Sequence, residues 1–71
     1  MGPHTFDTCY GEVTFKHAMI DTDGTNLEEG ITIFIDGKYI AETIDFSIDE
    51  IEEMTEKEIE SVVETYCEDY I

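Results

Sequence analysis

The stretch Ile31-Thr32-Ile33-Phe34-Ile35-Asp36-Gly37-Lys38-Tyr39-Ile40-Ala41-Glu42 decides the fold of this 71-residue chain. Two runs rich in β-branched and aromatic residues flank an Asp-Gly pair. Asp and Gly tolerate positive φ, which both central positions of a type I′ turn require, and the twist of that turn suits an antiparallel hairpin. With Ile35 opposite Lys38, Phe34 falls opposite Tyr39 and Ile33 opposite Ile40. Each face of the ribbon then carries a large apolar pair, so both faces want cover.

Upstream, Val13, Phe15, His17 and Met19 alternate with Glu12, Thr14, Lys16 and Ala18, the period of a strand. Phe6, Thr8 and Tyr10 alternate before them, and Gly11 either turns the chain into a hairpin or bulges one longer strand. Asp21 to Asn26 is turn chemistry, closed by Gly30. Met1–His4 are expected to be mobile and are assigned no role.

Downstream, a helix start is written twice. Ser47 with Glu50 forms a capping box and Phe46 with Ile51 a hydrophobic staple; Thr55 with Glu58 and Met54 with Ile59 repeat both signals eight residues later. The repetition predicts a short helix from Ile48, a step near Met54 and a longer helix from Glu56 to about Asp69. The competing pattern is one unbroken helix whose stripe runs through Ile48, Ile51, Thr55, Ile59, Val62, Val63, Tyr66 and Tyr70. Either pattern covers one face of the sheet. The expectation is an α+β fold: an antiparallel sheet of three to four strands with a central Asp-Gly hairpin, packed by acidic C-terminal helix in a single domain over residues 1–71.

Nineteen Asp and Glu stand against three Lys and no Arg, a formal net charge of −16. An apolar fraction of 41% is enough for a small core, so this is no disordered acidic tail. Like charge opposes direct contact with nucleic acid or an anionic membrane and points instead to a basic protein. No apolar run reaches the ~18 residues of a membrane span and no secretory pattern opens the chain, so the expected compartment is the cytoplasm. Cys9 and Cys67 are too few and too far apart for a disulfide framework or a zinc signature; they are read as free thiols, with a single bridge between them as the alternative if strand and helix bring them together.

Chemical motifs are sparse. No nucleophile elbow, Gly-rich phosphate loop, HExxH or CxxC occurs, and the carboxylates lack the burial that a catalytic pair needs, so no enzyme and no cofactor are expected. Asp21-x-Asp23-Gly24-x-Asn26-x-Glu28 alternates oxygen donors as a calcium loop does. Its Gly comes too early, however, and no Glu closes a 12-residue loop. Calcium binding therefore ranks third among the functions considered.

The charge is concentrated where the helices are. Residues 42–71 hold 12 of the 19 acids and one base, Lys57. Asp49, Glu53, Glu56, Glu60, Glu64 and Glu68 step by three or four, which on a continuous helix keeps them on one side, each about 4.5–6 Å further along the axis. Only Glu53 with Lys57 has the i, i+4 relief that such a row normally carries. Local stability does not call for this pattern, so the row is taken as the candidate partner-binding site. Duplex DNA presents one charge per ~3.4 Å along each strand, so a carboxylate row can address the Lys and Arg of a nucleic-acid groove.

In size, charge and helix-plus-hairpin layout the whole chain resembles the small acidic DNA-mimic proteins by which phages and mobile elements block restriction enzymes, CRISPR effectors or nucleoid proteins. The resemblance implies an inhibitor acting in a host cytoplasm. The alternative is a small structural or adaptor subunit that binds through the apolar second face of the hairpin, with acidity serving solubility.

Sixteen uncompensated charges oppose compaction, and a chain this short has a thin stability margin. The melting temperature should therefore rise as sodium chloride is raised to about 0.5 M, where the Debye length falls below ~5 Å. A melting temperature indifferent to salt would show that the acids are paired or dispersed.

Overall fold

The computed structural model describes residues 4–68. Four strands, β1 (His4–Thr8), β2 (Gly11–Asp21), β3 (Leu27–Ile35) and β4 (Lys38–Thr43), precede two helices, α1 (Ile48–Glu52) and α2 (Glu56–Tyr66). The strands pair in chain order, each antiparallel to the next, as a meander. Both helices pack on one face of it, and the fold is α+β as the sequence predicts.

The core is the strand alternation made physical. Val13 lies opposite Ile35 and Phe15 opposite Ile33, and all four side chains are buried with Ile31. The helices close over them with Ile48, Ile51, Ile59, Val62, Val63 and Cys67. Phe6 joins from β1, its ring edge-on to Phe15 at 5.9 Å between centroids.

Both central residues of the Asp-Gly turn take positive φ, 51° at Asp36 and 83° at Gly37, as a type I′ turn requires. Phe34 pairs with Tyr39 as expected, and their rings meet edge to face. The expected pairing of Ile33 with Ile40 does not form. A bulge shifts the register, Ile33 faces Ala41, and Ile40 is the extra residue. Ile40 and Ala41 both pack against the core, which two neighbouring residues of a regular strand could not do from one face.

Gly11 resolves as a hairpin, with Cys9 and Tyr10 as the turn between Thr8 and Gly11. The hydroxyl of Thr8 donates to the Gly11 carbonyl and accepts from the Tyr10 amide. His4, expected to be mobile, instead begins β1 opposite Phe15, with Nε2 2.9 Å from Glu52 Oε1 on α1.

The helix region follows the two-start pattern. Thr55 has extended backbone (ψ 165°), which no unbroken helix contains, and its side chain completes a full capping box with Glu58. At the first start Ser47 accepts from the Glu50 amide. α2 ends at Tyr66, short of the expected Asp69, which like Tyr70 lies outside the described residues. Tyr66 completes the helix–sheet seam, edge-on to Phe46 and bonded to Asp45. Both thiols are free, Cys9 exposed in the first turn and Cys67 buried at the end of α2.

The strand pattern overstated the core in one place. His17 and Met19 share the face of Val13 and Phe15, yet both are exposed. Among the described residues β1 ends opposite Phe15 and β4 ends opposite Ile31. Among the described residues β2 and β3 continue beyond those rungs as a two-stranded arm.

Gly30 stands where the arm meets the body. A Cβ there would lie 2.4 Å from the Thr43 carbonyl oxygen and 2.8 Å from Ile20 Cδ1. Backbone cannot yield as a flexible side chain can, so Gly30→Ala should cost about 3 kcal/mol. Gly24→Ala meets nothing within 4 Å and carries only its φ of +89°, which sets its cost at about 1 kcal/mol. Urea unfolding of the two variants, with unchanged slope, checks the order.

Candidate functional site

The six carboxylates of the expected row do not stand on one helix. Asp49 is on α1, Glu53 caps its C-terminus, and Glu56, Glu60 and Glu64 follow one side of α2 at i, i+4 spacing. Glu68 lies beyond the helix, after Cys67. The step at Glu53–Thr55 breaks the row into two acidic segments.

The step also removes the one relief expected. Lys57 makes no ion pair with Glu53, and among the described residues no Lys pairs with a carboxylate. Lys16 instead lies over the ring of Phe34, 5.0 Å from its centroid, on the sheet face away from the helices. No basic residue occupies the last turn of either helix. The first turns carry Asp49, Glu50, Glu56 and Glu58, where the helix dipole favours negative charge.

Two members of the row reach along the surface to the β1–β2 turn. Glu60 Oε2 accepts from the Cys9 amide at 3.4 Å, and Glu64 Oε2 accepts from the Tyr10 hydroxyl. These bonds tie α2 to the first hairpin across more than fifty residues of sequence, and no local signal announces them. The Tyr10 phenol is pushed up to about 12, mainly because it donates to the Glu64 carboxylate. Asp49, Glu53, Glu56 and Glu68 are exposed and have no side-chain partner among the described residues. The site so divides into two carboxylates that hold the structure and four that face solvent.

The loop considered for calcium uses its oxygens internally. Asp23 Oδ1 accepts from the amides of Thr25 and Asn26, both at 3.0 Å, and Oδ2 accepts from the Asn26 side chain. Asp21 Oδ1 caps the Gly24 amide. These donors, the Thr25 amide first, lower the Asp23 carboxyl to about 2. Among the described residues no three His, Cys, Asp or Glu side chains gather as metal ligands would. No helix there is long and apolar enough to cross a membrane.

No family model, no curated protein and no solved structure matches this chain.

The Tyr10–Glu64 bond has a pH signature. A phenol whose folded pKa lies above its unfolded value adds stability that is complete below about pH 10 and is lost as pH rises from there toward 12. Absorbance titration should resolve a tyrosine ionising near pH 12, and Tyr10→Phe should delete that step. Retention of the step in Tyr10→Phe would place it on another tyrosine.

Proposed function

We propose that this chain is an acidic protein-binding module that occupies the nucleic-acid-binding surface of a basic protein and so inhibits or modulates it. One observation carries the reading. None of the three Lys neutralises a carboxylate among the described residues, so the charge of the helical segments is left for a partner to neutralise. A fold that needed acids only for solubility would gain stability from i, i+4 Lys on the same helices, and it has none in place.

The row would act as phosphates do. Glu56, Glu60 and Glu64 rise ~6 Å apart along α2, somewhat wider than the phosphates of one DNA strand. Asp49 and Glu53 extend the charge past the step. Basic side chains that meet this surface release their counterions, and the long-range field speeds encounter. The partner's compartment would be the cytoplasm, and no cofactor enters.

The adaptor alternative keeps one specific support: Tyr39 is 57% exposed beside Phe34, on the sheet face without helices. Phe34→Ala with Tyr39→Ala should abolish binding under that alternative and leave the electrostatic interaction within about twofold.

Asp49→Lys, Glu53→Lys and Glu56→Lys together reverse only side chains that bond nothing else among the described residues. Lys matches Glu closely in helix propensity and exceeds Asp, but Asp49 and Glu56 lie in first turns where the dipole favours acid, so the variant should lose about 1 kcal/mol of stability while its circular dichroism spectrum stays that of the folded chain. The partner would be captured from a bacterial lysate at low salt. Its affinity for the chain should fall at least about 100-fold in the triple variant, and duplex DNA should compete with the wild type for it. A folded triple variant that binds as before would sink the proposal.

A further inference from the structure

The β2–β3 arm carries an apolar surface that the carboxylate row does not explain. Met19 is 53% exposed and Leu27 62% exposed, two of the four large hydrophobic side chains that stand open among the described residues. Both belong to the face that turns inward under the helices further down the sheet. Met19 pairs with Glu29, and Asp21 pairs with Leu27, so the two apolar side chains sit diagonally on adjacent rungs. Their acidic neighbours on the same face are Glu29 and Asp21, with His17 one step nearer the body, 3.8 Å from the Glu29 carboxylate. No Lys occurs between Lys16 and Lys38, and Lys16 points to the other face. The arm is thus an apolar pair rimmed by acid that no Lys neutralises among the described residues.

We infer that this face is a docking site for a cationic amphipathic helix, one that sets apolar side chains on Met19 and Leu27 and Lys or Arg against Asp21 and Glu29. The inference rests on the proposal that the chain binds a basic protein, and it specifies how that protein is held. Charge complementarity selects the occupant. A second copy of this chain would bring its own Asp21 and Glu29, and a net charge of −16, against the same acids. The dimensions fit as well: the floor from His17 to Asp21 is ~14 Å long, the length of about nine helical residues. Exposed carboxylates alone give an attraction that salt erases, whereas two apolar anchors give a contact that persists in salt and fixes position.

Two fluorescent probes test this: a lysine–leucine amphipathic peptide, and an oligolysine of equal charge. The wild type should bind the amphipathic peptide more tightly, with the excess surviving about 0.5 M sodium chloride. Met19→Ser with Leu27→Ser should weaken that peptide at least about tenfold and change oligolysine binding less than about twofold. Amide shifts in the wild type should fall on residues 17–21 and 27–31. This second readout does not depend on the variant's folding. An unchanged amphipathic affinity in a folded variant, or shifts centred on Phe34 and Tyr39, would overturn the arm as the site. Concentration-dependent dimerisation lost in the double variant would overturn the choice of occupant. Failure of oligolysine alone to bind would instead count against the charge-based function, leaving the arm as an apolar dock; failure of both probes removes both.

Discussion

The carboxylate of Asp36 joins the two hairpins on which everything else is built. Asp36 sits at positive φ in the β3–β4 turn, its amide donates to the Glu12 carbonyl at 2.8 Å, and its Oδ1 accepts from the Glu12 amide at 3.0 Å. The same carboxylate lies against Gly11, where a Cβ would come within 2.8 Å of it. Gly11 therefore has two reasons to lack a side chain: its own φ of 116° and the space that Asp36 takes. Each turn holds the other in register, and register decides which side chains face the helices. A slip of one residue would send Val13, Phe15, Ile33 and Ile35 to solvent.

Local chemistry was legible in the sequence wherever neighbours along the chain decide the outcome. Asp36-Gly37 announces its turn, Thr55 with Glu58 announces the second helix start, and the alternation of Val13 with Phe15 announces the buried face. Three features escaped because distant residues decide them. Ile40 bulges because β4 must present two consecutive residues to a core assembled elsewhere. His17 and Met19 follow the strand period faithfully yet remain outside, since periodicity records which face a residue takes and not how far the cover extends. Glu60 and Glu64 look identical to Glu56 in sequence, and only the position of Cys9 and Tyr10 makes them acceptors.

That last distinction matters most for the candidate site. An acidic run read from sequence is uniform, while the folded chain assigns its carboxylates different work. Asp23, Asp36 and Glu58 close turns and a helix start, Glu52 meets His4, and Asp45 holds Tyr66. These acids carry negative charge that the structure already uses, and reversing them would test folding more than function. Asp49, Glu53 and Glu56 carry charge with no internal use among the described residues. A charge-reversal test of function is therefore cleanest on the acids the fold does not employ.

The short helices explain how such acids can be held at all. α1 has five residues and α2 eleven, lengths at which an isolated helix is marginal in water, and their like charges make it worse. They persist because Ile48, Ile51, Ile59, Val62 and Val63 are buried against the sheet. The sheet thus meets the entropic cost of fixing the carboxylates before any partner arrives. Repulsion among them remains as a standing destabilisation of the folded chain. Under the proposed function, a cationic partner would remove that repulsion on binding, and part of its affinity would come from relief within this molecule as well as from contact with it. On that proposal folding and binding would be linked through the same charges: the acids that most weaken the solitary fold would be those from which a basic partner gains most.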